Sequence, residues 1–189
     1  MERISEIFSE LSNHMVKGMM FHDQMANYYK FLGLSGYAKC HEYHFMKETD
    51  GYRKLQRYFI SHYNKLIPEE RFDNPAVIPE NWYNYTRQDV DASTKKSAVK
   101  TGLTSWVEWE KDTKALYESS YKELEDLEEV ATALFLEEYV EDVTRELKKA
   151  QGYLLTKNAV GFDMDHIINE QSRMHKKYKD CLGGVINEP

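Results

Sequence analysis

Apolar residues recur every three or four positions from the start of the chain. Ile7, Leu11, Met15, Met19, Phe21/His22, Met25 and Tyr29 fall on one stripe, the period of an amphipathic helix. The stripe predicts a helix over about 4–32. Gly33 and Gly36 then mark a short turn. A second run follows over about 35–64, with Tyr37, Cys40/His41, His44, Glu48, Gly51/Tyr52, Leu55, Tyr58/Phe59 and His62 on its inner face. Each helix has roughly 28 residues, or about 40 Å at 1.5 Å per residue. Two helices of that length joined by so short a turn pack as an antiparallel pair. Each then needs further apolar surface along its whole length.

The rest of the chain supplies it. Residues 66–100 hold Pro68, Pro75 and Pro79 among many Asn, Asp, Ser and Thr and show no clear period, so they are expected to form a long crossover loop. Trp82, Tyr83 and Tyr85 would pin it to the bundle. Spanning a 40 Å bundle takes about a dozen extended residues, so such a loop can deliver the third helix parallel to the second. Helices are expected over about 104–126 and 129–156. Their joint, Leu124 to Val130, contains neither Pro nor Gly, which leaves open a single continuous helix in place of two. Asn158 to Phe162 breaks the pattern, and a fifth helix is expected over about 163–182. Its inner side carries Met164, Ile167/Ile168, Gln171, Met174/His175, Tyr178 and Leu182, and Gly183-Gly184 would end it. The fold class is all-α: one domain over 1–189, a four-helix bundle with a long crossover and an added C-terminal helix.

Charge narrows the function. The chain carries 25 Lys and Arg against 32 Asp and Glu, a net charge of -7. Phosphate neutralisation needs the opposite balance, so nucleic acid is not expected as a partner. No apolar run approaches a membrane span, and the acidic, amphipathic N-terminus has no signal core, so a cytoplasmic protein is expected. Cys40 and Cys181 do not make a disulfide framework. There is no Gly-rich phosphate loop, Cys-x-x-Cys pair or nucleophile elbow.

Tyr37, Ala38 and Glu48 on the second helix, Glu108-Trp109-Glu110-Lys111 on the third, Phe135-Leu136-Glu137-Glu138-Tyr139-Val140 on the fourth and Phe162-Asp163-Met164-Asp165 before the fifth stand in order along the chain. With Asp23 to Tyr29 on the first helix, this series resembles the non-haem ferritins over about residues 10–168. The resemblance implies an iron-handling bundle that self-associates as a dimer or cage. It also implies a ferroxidase site built from a Glu on the first helix, a Glu and a His one turn apart on the second, a Glu on the third and a Glu or Gln on the fourth. Here Glu48 and Glu110 match. The first helix offers Met15, the His position is Gly51, the fourth helix offers Val143, and the acid preceding Glu48 is replaced by Lys47. A site so depleted implies ferroxidase activity weakened or lost. No haem is expected, since Thr49 rather than Met follows Glu48.

A second constellation follows from the helix geometry. His22 and His44 lie eleven residues either side of Gly33, so an antiparallel pair sets them at one height. His44 and Glu48 are one turn apart on one face, and Glu146 falls near the same level. A displaced mononuclear site from His22, His44, Glu48 and Glu146, with Glu110 below, would suit iron, zinc or manganese. The alternative is a hydrogen-bonded polar core without metal, in a bundle that serves as a structural or interaction protein. A hydroxylase- or catalase-like carboxylate enzyme needs Glu-x-x-His on two helices, which the chain lacks.

Overall fold

The structure, a computed structural model, describes residues 1–67 and 90–182. They form five helices: α1 (Glu2–Phe31), α2 (Ser35–Tyr63), α3 (Ala92–Asp126), α4 (Val130–Ala159) and α5 (Met164–Leu182). α1 pairs with α2 and α3 with α4, the two pairs meet chiefly through α1 and α3, and α5 folds back along α2.

The largest departure from expectation is the start of α3, at Ala92, twelve residues before the predicted 104. The first nine of those residues belonged to the expected loop. Asp91 caps the helix, its carboxylate accepting the Thr94 backbone N–H at 2.7 Å. Ala98, Val99, Gly102 and Leu103 are buried at helical spacing ahead of Trp106. The polar residues between them hid that stripe. Expectations for the middle of the crossover, Trp82, Tyr83 and Tyr85 included, fall outside the described residues.

Three joints share one hydrogen-bond pattern. After α1, Gly33 takes φ 73° and Leu34 N–H donates to Tyr29 O at 2.9 Å. After α4, Gly161 takes φ 62° and Phe162 N–H donates to Lys157 O at 2.9 Å. After α3, Glu128 takes φ 60° while its N–H donates to Glu125 O, and Glu129 N–H to Leu124 O, both at 2.9 Å. This is the Schellman closure, which favours glycine at its left-handed position. At Glu128 a residue with a side chain accepts the strain, and the chain makes two helices rather than one.

α5 is held to α2 by close backbone approach and by one buried charge. A Cβ on Gly36 would lie 1.9 Å from the Gln171 carbonyl oxygen. Ile167, Met174, Tyr178 and Leu182 are buried, while Ile168 remains 47% exposed. The Lys157 ammonium, 3% exposed, pairs with Glu170 at 3.0 Å and donates to His166 O at 3.1 Å, and the Tyr37 hydroxyl donates to the same Glu170 carboxylate.

The core is in two halves. One, toward the α1–α2 turn, gathers Met25, Tyr29, Tyr37, Leu103, Trp106 and Ile167. The other gathers Ile7, Leu11, Met15, Leu55, Phe59 and Leu136. Between them, at one level of α1, α2, α3 and α4, runs a band of polar side chains.

Candidate metal centre

That band contains His22 on α1, His41 and His44 on α2, and Glu110 on α3, all buried. His22, His44 and Glu110 each bring a donor atom within 4.8 Å of the others. Two atoms bound at about 2.1 Å to one ion lie at most about 4.2 Å apart, so small side-chain rotations would close the three onto a metal.

His41 sets the orientation. Its Nδ1 lies 2.9 Å from His22 Nδ1, so one of the two carries the shared proton. With that proton on His22, its Nε2 bears the lone pair, and this atom has no hydrogen-bond partner among the described residues. Ligand histidines are commonly oriented through their second nitrogen in this way. The His22 and His44 rings stack at 5.1 Å. Burial holds both well below the usual histidine range, and burial with Lys149 nearby lowers His41 to about 3, so all three rings are neutral near pH 7. Neutral imidazole is the form that binds metal.

Glu110 accepts a 2.8 Å hydrogen bond from Trp106 Nε1. Burial raises its carboxyl to about 7, against the opposing pull of that hydrogen bond. Glu48 lies beside a cavity of about 70 Å³ that also meets Met15, Glu110, Tyr117 and Val143. Its carboxyl is pushed up to about 8, by burial first and by Glu110 second. The two acids thus share a cavity in which full ionisation of both is costly, and a divalent cation would relieve that cost.

The structure does not gather all five expected residues at one point. His22, His44 and Glu110 converge. Glu48 faces the cavity but stands outside the triplet, beside Gly18. Glu146 reaches to 3.6 Å from His44 Nε2, yet its oxygens are held by Lys47 at 2.8 Å and Lys149 at 3.0 Å. Burial would raise Glu146, but the two ammonium groups outweigh it and hold the carboxyl low. Lys47 also bridges to Asp142 at 2.8 Å. Two lysines therefore balance two carboxylates on the α2–α4 side.

Two features escaped the sequence reading. His41 stood on the inner face and one turn from His44, a spacing that could have placed it beside the site. Lys149 gave no signal: its ammonium lies 3.4 Å from His44 Nε2, paired with Glu146 at 3.0 Å and set over the Tyr43 and Tyr178 rings. His14 lies apart, stacked on Trp109 at 4.4 Å, with Nε2 2.7 Å from the Thr113 hydroxyl.

No family model matches this sequence, and no curated protein matches it. Solved structures do match its shape. An open pore ferritin from the hyperthermophilic archaeon Archaeoglobus fulgidus superposes with a TM-score of 0.77 at 15% identity, over 93% of this chain and 96% of that one. A humanized archaeal ferritin gives 0.77 at 16% identity over 93% and 96%. A PmFTN variant soaked in iron gives 0.70 at 13% identity over 92% and 98%. At such identities the likeness establishes architecture alone, and by architecture the chain is a ferritin-like, all-α bundle.

Proposed function

We propose that this protein is a ferritin-like metal-handling protein that holds a single transition-metal ion at His22, His44 and Glu110. The observation that carries the reading is the convergence of three buried donors, one of them with an unpartnered nitrogen, in a polar band between two apolar half-cores. Two imidazoles and a carboxylate suit ferrous iron, zinc or manganese. Iron is the first choice because the matched folds are ferritins, one of them soaked with iron.

Iron would be stored or passed on rather than rapidly oxidised. A ferrous ion yields one electron, and reducing dioxygen to peroxide takes two. A second ion would need the anionic side of the cavity, where Lys47 and Lys149 already neutralise Asp142 and Glu146. Ferroxidase activity is accordingly weak or lost. A self-associating, cytoplasmic protein completes the proposal. Among the described residues, no helix is long and apolar enough to cross a membrane.

The same lysines favour a second reading, a metal-free scaffold whose polar band is internally balanced. Metal content decides between them. Protein purified without chelator, or loaded anaerobically with ferrous iron, should hold near-stoichiometric metal that is lost in both His22→Ala and Glu110→Ala. Folded wild-type protein that stays empty under both conditions, and after zinc and manganese loading, leaves the scaffold reading.

A further inference from the structure

We infer that cations reach the polar band sideways, through a mouth between α2 and α4 at Gly51, and that the Lys47–Asp142 ion pair is the threshold they cross. This inference rests on the metal-site reading above.

The other walls are closed. The bundle ends are blocked by the two apolar half-cores. The α1–α3 side is sealed by Trp109, stacked between Phe21 at 5.4 Å and His14 at 4.4 Å. α1 packs along α2 and α3 along α4, whereas α2 and α4 are not among the closely packed pairs. The half of their seam nearer the α1–α2 turn is covered by α5, where Tyr178 meets Tyr43 at 5.3 Å and the Lys149 ammonium at 5.3 Å. Among the described residues, what remains of the seam uncovered lies lower, at Gly51.

There the inner cavity of about 70 Å³ and a surface hollow of about 390 Å³ share a wall of Lys47, Gly51, Tyr139 and Asp142. Gly51 contributes no side chain to that wall. Among the described residues, a Cβ at this position would meet only the Tyr139 ring, at 3.6 Å, and the Tyr139 hydroxyl is tied back to the Gly51 carbonyl at 3.0 Å. Ring and backbone thus form a fixed jamb. On the other side stand two part-exposed side chains, Lys47 at 27% and Asp142 at 40%, so the pair has room to open toward solvent. A small divalent cation fits the chemistry of this threshold. It can exchange with the ammonium against Asp142 and Glu146 and then move on to the unpartnered nitrogen of His22.

Filling the mouth should change rates without changing equilibrium. Cobalt(II) binding would be followed by stopped-flow quenching of tryptophan fluorescence, Trp106 being hydrogen-bonded to Glu110, and release by a chelator chase. Gly51→Leu should slow binding and release together, by about tenfold or more, with Kd and stoichiometry unchanged. Gly51→Ala, whose Cβ makes an ordinary contact, keeps the test available if the leucine variant does not fold, and should slow both steps by a smaller common factor. Wild-type rates in either folded variant would overturn the route while leaving the site. A changed Kd with unchanged entry would likewise assign Gly51 a structural role instead. Folded wild-type protein that binds no cobalt would overturn the site reading and the route with it.

Discussion

Replacing Glu170 with alanine strands a cation. The Lys157 ammonium is 3% exposed and has two acceptors among the described residues, the Glu170 carboxylate at 3.0 Å and the His166 carbonyl at 3.1 Å. Glu170→Ala removes the first and leaves a charged group in the α4–α5 interior with one neutral partner. The Tyr37 hydroxyl loses its acceptor at the same stroke. Breaking a buried pair from one side costs about 3–5 kcal/mol, because the remaining charge keeps its desolvation penalty without its partner. For a protein of this size, that is a fall in Tm of about 6–20 °C. Urea denaturation of metal-free protein, wild type beside variant, measures it directly.

Removing the whole group should be far milder. Tyr37→Phe/Lys157→Met/Glu170→Met takes away the charges and the hydroxyl together, and a buried ion pair replaced by apolar groups of similar volume is often neutral or stabilising, by about 1–4 kcal/mol. The contrast between single and triple variants is therefore the diagnostic. If Glu170→Ala costs less than about 1 kcal/mol, the value of an exposed pair, Lys157 reaches water and α5 does not dock as described. If the triple variant is as damaged as the single one, the loss comes from packing and the charge argument is refuted.

Three further outcomes follow. Glu48 and Glu110 are raised in the folded protein, to about 8 and about 7 from an ordinary 4.5. Their protonated forms therefore support the fold fully below about 4.5, and that support is lost as pH rises through 7 to 8. Chelator-treated Glu48→Gln should accordingly gain on wild type by about 1–2 kcal/mol at pH 9, a figure discounted for the partial exposure of Glu48, and the gap should vanish near pH 4.5. Glu128→Gly should stabilise by about 0.5–1 kcal/mol in the same denaturation assay, by relieving a left-handed residue inside an intact Schellman closure. A site ligand at a hundred times its Kd should add about 2.7 kcal/mol to wild type, seen as a rise in Tm, and nothing to Glu110→Ala.

The chain announces some of these features and conceals others, for physical reasons. The turns at Gly33 and Gly161 were legible because glycine marks the left-handed position that closes each helix. The α3–α4 turn uses the same backbone hydrogen bonds with Glu128, so an identical motif carried no residue signal. The opening turns of α3 were hidden by composition: Ser93, Thr94, Lys95, Lys96 and Ser97 read as loop, although Asp91 with its bond to Thr94 N–H is an ordinary helix start. The heights of His22 and His44 came from counting residues outward from one turn. Counting cannot say which way a long side chain reaches: Glu146 lies at the height of the histidines, 3.6 Å from His44 Nε2, yet its oxygens are held by two lysines.

Lys47 and Gly51 become intelligible as a pair. Read singly, Gly51 is the loss of a ligand and Lys47 the loss of the acid before Glu48 from the pattern that the second helix resembles. In three dimensions they are one turn apart on α2, at the same gap in the α2–α4 seam. A carboxylate at 47 would add a fifth acid to a cavity that already meets Glu48, Glu110, Asp142 and Glu146, and would have to be neutralised by a metal or a proton. The lysine supplies a tethered positive charge instead, held at 2.8 Å from both Asp142 and Glu146. The band can then fold without metal, while burial keeps the His22 and His44 imidazoles neutral, the form that binds a cation. Among the described residues, Gly51 leaves the gap open beside it. The outer side of the cavity is thereby balanced by the chain itself, and its inner side, where His44 and Glu110 meet it and His22 stands close to both, is where an incoming cation gains most.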